Sequence, residues 1–283
     1  MRHGTKSPEI PVLSNALLTL ADICARELWS GKNFMTGKPQ QYSVRRGSNT
    51  TTQISTIPLS DERLLEMFAL PFYSHAKAHS ISPKVNLLVS QIDPCFIHIA
   101  GLNGTRKPTE DGIKTGIKYL LTTIAGDYKG YITDKSKQNS LTKASDYTSQ
   151  LVDAFGDKGD INHRALAFRI LFFAIPDFPC FNYSVNILKA LKLKPTESNF
   201  FMKYVEIMDR GYELNWERLC QFEMPLPNHI DSKAWLRARN HGWWQRRIYD
   251  LALLFHFSYK ENEPLQPYSR AMGLFHTKSL PYA

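Results

Sequence analysis

The residue types best placed to do chemistry in this chain stand together at Phe178-Pro179-Cys180-Phe181-Asn182-Tyr183-Ser184, where polar side chains interrupt two apolar stretches. A turn set between packed segments has its side chains fixed by its neighbours, which is what a site requires. A second group is the tract from Trp235 to Arg247 (WLRARNHGWWQRR), which interleaves indoles with guanidinium groups. Indoles stack on bases and guanidinium groups grip phosphates, so this pattern suits nucleic acid. It equally suits a terminal helix that buries its tryptophans and solvates its arginines, and both can hold on opposite faces.

Other patterns carry less. Gly104-Thr105-Arg106-Lys107 lacks the spacing of a phosphate-binding loop and reads as a capped loop. His75 and His79 lie one helical turn apart, with no third metal ligand evident. Cys24, Cys95, Cys180 and Cys220 are scattered without a C-x-x-C pair and read as reduced, mostly buried thiols. No metal, cofactor or nucleophile elbow is indicated.

The elements that must position these groups are helical. With 43% hydrophobic and 12% aromatic residues the chain can build a sizeable core, and no internal repeat is visible. Ser14 caps a helix over Leu13–Trp29 that Gly31 ends, and Ser60 opens one through Leu70 that Pro71 halts. Between them, residues 36–58 read as an exposed loop or a short hairpin, and 84–100 as helix or strand. Thr109 caps a helix to about Ile124, residues 126–146 are polar, and Tyr147–Phe155 forms a short helix. Gly156–Asp160 is a tight turn. Ala165–Ala174 is apolar all round and reads as a helix at the centre of the fold. Pro176 and Pro179 delimit the crossing that follows. Helices are then expected over Ser184–Leu193 and Ser198–Asp209, and one long helix over Ser232–Tyr259, whose outer face carries Arg237, Arg239, Arg246 and Arg247. Three regions result: 1–110, helices and loops; 111–260, a helical core with a hairpin; and 261–283, a surface tail.

Charge narrows the partner. The chain has 35 Lys+Arg against 26 Asp+Glu, a net +9, which favours a polyanion, nucleic acid before an anionic membrane surface; the alternative from a different class is a helical interaction module in which the charge serves solubility only. No apolar run is long enough to span a bilayer and no secretory leader is evident, so a cytoplasmic address is expected.

The glycine-containing turn at 156–160, the buried helix at 165–174 and the F-P-x-F-N-Y-S turn resemble the centre of the helix-hairpin-helix DNA glycosylases. More narrowly they resemble a bacterial group with an 8-oxoguanine-glycosylase-like fold, in which a similar helix leads into an FPI-[YW]-D-S-R-V turn. The segment Arg247-Ile-Tyr-Asp-Leu-Ala-Leu-Leu, ending at Leu254, also resembles the end of those proteins, a helix with an acid followed by aliphatic residues. The resemblance covers about 100 residues of the C-terminal half. It implies a mainly α fold with two helical subdomains around a cleft. It also implies a hairpin that binds duplex DNA through main-chain N–H groups, and a base flipped into the cleft for hydrolysis of its N-glycosidic bond.

Under that resemblance the family's catalytic aspartate falls on Asn182, which cannot ionise. The lysine nucleophile of the bifunctional members falls near Arg164, beside His163, and a guanidinium is not a nucleophile at neutral pH. Three outcomes stay open. Asn182 positions a water while Asp160 or Asp177 supplies the charge; a distant carboxylate such as Asp250 supplies it; or the chain recognises modified bases without excising them. Tyr183, Asp250, Trp243 and Trp244 would line the pocket, and Lys158, Gly159, Arg237, Arg239, Arg246 and Arg247 would hold DNA. No cofactor is implied, and a base modified by a phage would make the protein part of phage defence.

Overall fold

The computed structural model describes residues 10–31, 42–46, 50–54, 60–74, 85–86, 88, 109–131, 137–156, 161–228 and 233–258. The architecture is mainly α-helical, as the apolar spacing implies. Helix α1 spans Asn15–Ser30; the Ser14 side chain accepts a hydrogen bond from the Leu17 amide, and Gly31 closes the helix at φ 68°. An antiparallel hairpin follows, β1 at Tyr42–Arg46 and β2 at Thr50–Ile54, with Val44 opposite Thr52.

Helix α2 covers Asp61–Tyr73 and is capped by Ser60 as expected, but Pro71 lies inside it and does not stop it at Leu70. Proline forfeits one backbone donor, a small loss in a last turn, and the burial of Phe72 and the hydrogen bond from the Ser74 amide to the Leu70 carbonyl continue the helix. Thr109 caps α3 (Glu110–Tyr119), which runs on through a π-helical turn at Leu120–Ile124 into α4 (Ala125–Tyr131). Helix α5 spans Lys137–Ala154, far longer than the Tyr147–Phe155 segment read from sequence. Its polar residues form a solvated face, while Leu141, Ala144, Tyr147, Thr148 and Leu151 are buried.

Helix α6, Ile161–Ala174, is buried along almost its whole length and packs on α2 and α5. After the crossing turn come α7 (Val185–Ala190), α8 (Phe200–Leu214) and α9 (Trp216–Leu219). The single long helix expected over Ser232–Tyr259 is two, α10 at Lys233–Asn240 and α11 at Trp243–Ser258. The break is Gly242, whose φ of 69° suits glycine and where a Cβ would lie 2.7 Å from the Tyr212 hydroxyl. Helix α11 packs on α1 and α7, α10 packs on α2 and α11, and one buried apolar cluster runs from Leu13 to Phe255. No helix among the described residues is long and apolar enough to cross a membrane.

Candidate functional site

The turn between α6 and α7 is gripped at both ends. It begins as a tight reversal in which the Phe178 amide donates to the Ile175 carbonyl at 3.0 Å and the Cys180 amide to the Phe178 carbonyl at 2.8 Å. At its far end the Asn182 amide and the Asn182 Nδ2 both donate to Asp250 Oδ2, at 2.9 and 2.8 Å. The Tyr204 hydroxyl donates to the Asn182 carbonyl. Asp250 reaches in from α11, so the far end of the turn is tied to the last helix through a single carboxylate oxygen.

That carboxylate is almost wholly buried. Burial pushes it up from the ordinary 3.8 to about 7, against the pull of the Asn182 amide, Arg247, Arg169 and the Asn182 side chain. Asp250 Oδ1, Asn182 Oδ1 and Ser184 Oγ are buried and have no hydrogen-bond partner among the described residues. The Asn182 donors are therefore committed to Asp250, and the inner end of the turn is a lock.

The outer end of the turn holds a different carboxylate. Asp177 is partly exposed, and its two oxygens accept hydrogen bonds from two phenols, Tyr73 of α2 and Tyr128 of α4. Burial, reinforced by the facing Asp177 charge, pushes both phenols far above their ordinary range, so they remain protonated donors. The cradle is aromatic throughout. Tyr128 meets the Phe178 ring at 5.2 Å, and Phe178 stacks on Tyr147 at 5.5 Å. The guanidinium of Arg237 lies 3.6 Å from the centre of the Tyr73 ring. A carboxylate has about four lone-pair positions, so two phenolic bonds leave acceptor capacity on the exposed side.

The structure places the other expected residues as follows. Trp243 and Trp244 are fully buried, so they cannot stack on a base; Trp243 Nε1 donates to the Phe172 carbonyl at 2.8 Å. Arg246 and Arg247 are buried as well and do not face phosphate. Arg246 donates to the His241 and Pro176 carbonyls, bracing the start of the turn, and Arg247 Nε pairs with Asp61 Oδ2 at 2.7 Å. Buried guanidinium groups of this kind are tolerated because carbonyls and a carboxylate replace their water. Tyr183 is a core residue stacked on Phe168 at 5.6 Å rather than an open pocket wall.

His163 and Arg164 lie at the opposite end of α6 from Asp177, about 15 to 20 Å away along a helix that rises 1.5 Å per residue. His163 is buried with its ring 6.1 Å from that of Phe155. Arg164 donates to the Pro195 carbonyl and covers Phe200. His163 thus packs against the end of α5, and Arg164 against the start of α8. Arg237 and Arg239 keep some or all of their solvent exposure, each guanidinium seated on a ring, Tyr73 and Trp235 respectively. Lys158, Gly159 and Asp160 lie outside the described residues, as do His75, His79 and the 104–107 loop. Among the described residues no group of three His, Cys, Asp or Glu side chains could hold a metal.

Sequence reasoning named Asp177 but missed its phenols. Tyr73 and Tyr128 stand 104 and 49 residues away, beyond any local pattern.

No family model, curated protein or solved structure matches this chain.

Proposed function

We propose that the chain is a DNA-glycosylase-like protein that hydrolyses the N-glycosidic bond of a damaged or modified base, with Asp177 as its catalytic carboxylate. The observation that carries the reading is the Asp177 carboxylate, partly open to solvent and held on both oxygens by Tyr73 and Tyr128. Fixed phenolic donors orient a carboxylate without neutralising it, so its charge can face a sugar that becomes cationic as the base departs. The C1′–N bond breaks with its electron pair leaving on the base. Water then adds to C1′, Asp177 takes the proton that water loses, and the departing base is protonated from solvent. An abasic site remains. The net charge of +9 and the ring-seated Arg237 and Arg239 supply the attraction for DNA.

One observation favours a second reading, a modified-DNA-binding protein without catalysis. Both donors of Asn182 are taken by Asp250, so the position that the resemblance makes catalytic serves the fold. The two readings separate in one assay. The protein is incubated with duplexes carrying ordinary, oxidised, alkylated or glucosylated bases, and abasic sites are cleaved with alkali. Strand breaks that fall at least about 100-fold in Asp177→Asn support excision at this carboxylate. Retention of modified duplex without breaks supports the binding reading. Unchanged turnover in Asp177→Asn refutes the placement of the carboxylate, and no salt-dependent retention of DNA refutes both.

A further inference from the structure

Helix α7 ends on a residue that glycine would suit better. Among the described residues Lys192 is the one non-glycine residue held at a positive φ, 54°. The helix cap requires this conformation. The Leu193 amide donates to the Leu188 carbonyl at 2.9 Å and the Lys192 amide to the Lys189 carbonyl at 3.1 Å. That pair of bonds is a Schellman closure, which needs a left-handed residue at the position Lys192 occupies. Glycine adopts it without strain, whereas a Cβ meets the neighbouring carbonyl. The end of α1 meets the same need with Gly31, at φ 68°. A strained side chain kept in place of glycine points to a use for that side chain.

The surroundings of Lys192 are cationic. Lys189, Lys192 and Lys194 are all exposed, and neither Lys192 nor Lys194 forms an ion pair among the described residues. The acid in the loop that leads to α8, Glu197, is taken by Lys203. Arg164 adds a guanidinium that donates to the Pro195 carbonyl at 2.9 Å. The Glu197 amide donates to the Lys194 carbonyl and the Phe200 amide to the Glu197 carbonyl, both at 3.1 Å, so the loop is held along its length. Cations on a fixed loop bind a polyanion with little further loss of chain entropy. The apolar side chains here turn inward: Leu188 and Leu191 are buried and Leu193 packs on the core. What remains outside besides the lysines is Ala190, Thr196, Ser198 and Asn199. A surface of ammonium, hydroxyl and amide groups without an apolar anchor suits a phosphate backbone better than a folded protein partner.

We propose that Lys189, Lys192 and Lys194 form a contact surface for the phosphate backbone of duplex DNA, and that this contact is the reason a lysine stands where the cap calls for glycine. The inference rests on the nucleic-acid reading above and adds a surface next to Arg164, at the end of α6 remote from Asp177. The test titrates the full chain against a fluorescein-labelled duplex of ordinary bases at several salt concentrations, and follows the urea unfolding of each variant. Lys192→Gly should raise the urea midpoint and yet weaken duplex binding about tenfold in about 0.1 M salt, with the slope of log affinity against log salt smaller by about one. Lys192→Arg keeps the charge and should bind as the wild type does. Replacing all three lysines by glutamine should lower the slope by about three. Lys118→Gln, at an exposed position on α3, should leave the slope unchanged. A Lys192→Gly variant with wild-type affinity and slope would overturn the surface and leave the nucleic-acid reading standing, and so would an equal loss in Lys118→Gln. Polyglutamate binding that falls in Lys192→Gly while duplex binding does not would overturn it in favour of an acidic protein partner. Absence of salt-dependent duplex binding by the wild type would overturn both readings.

Discussion

The buried Asp250 makes the stability of this protein depend on pH in a direction opposite to that of most carboxylates. A carboxyl carried from 3.8 to about 7 by burial holds its proton more tightly in the folded chain than in the unfolded one. Below 3.8 both states are protonated and the contribution is fully present. Between 3.8 and 7 only the folded state keeps the proton, and above 7 the folded state contains a buried charge. Stability from this group is therefore present in acid and lost as pH rises through about 7, by roughly 4 kcal/mol in all. Asp250→Asn removes the titration and keeps the shape, because an amide oxygen can still accept from the Asn182 amide and side chain. Its NH2 group replaces an oxygen that has no partner among the described residues, a cost of about 1 to 3 kcal/mol that does not vary with pH. Urea unfolding followed by tryptophan fluorescence, at intervals from pH 4 to pH 8.5, gives the difference between variant and wild type. That difference should move in favour of the variant by roughly 4 kcal/mol across the range, with a slope near 1.4 kcal/mol per pH unit at its steepest. Taking the difference cancels the titration of the other carboxylates. A difference that stays flat with pH refutes the reasoning, since it would mean that Asp250 is ionised in the fold at no cost.

Two further substitutions probe the frame around the turn. Asp61→Ala leaves the fully buried Arg247 guanidinium without its carboxylate and should cost about 3 to 5 kcal/mol in urea unfolding; combining it with Arg247→Leu should recover part of that loss. Gly242→Ala places a Cβ 2.7 Å from the Tyr212 hydroxyl at a φ of 69°, and should cost at least about 1 kcal/mol by the same measurement. A neutral result in either case would contradict the packing described for the start of α11.

How much of this was legible in the sequence follows from the range of the forces involved. The caps at Ser14, Ser60 and Thr109 were readable because a capping side chain bonds an amide three residues on. The central helix α6 was readable because its apolar run is continuous. The extent of α5 was not, because its polar composition hides a buried face that only its neighbours α6 and α8 reveal. Arg246 and Arg247 misled for the same reason. Charged residues default to solvent, and what draws these two inward is the Pro176 carbonyl, 70 residues away, and Asp61, 186 residues away. The polar turn was recognised as pinned, whereas Asp250, which pins it across a separation of 68, was named only as a candidate source of catalytic charge and a pocket-lining residue.

The two carboxylates differ in ways that separate their duties. Asp250 is buried and poised near neutrality, and it spends one oxygen on the Asn182 donors, so it governs whether the inner end of the turn stays closed. Asp177 is partly exposed, and its partners are phenols that stay protonated far into the alkaline range, so its cradle is unchanged over the pH range in which Asp250 ionises. The two carboxylate contacts also come from different helices, the phenols on Asp177 from α2 and α4 and the grip on Asn182 from α8 and α11, while Arg246 of α11 additionally braces Pro176. A substitution at one end can therefore weaken the fold without removing the other carboxylate from its partners. For that reason a loss of excision in Asp177→Asn, at unchanged stability, speaks to the chemistry of the outer end and not to the lock.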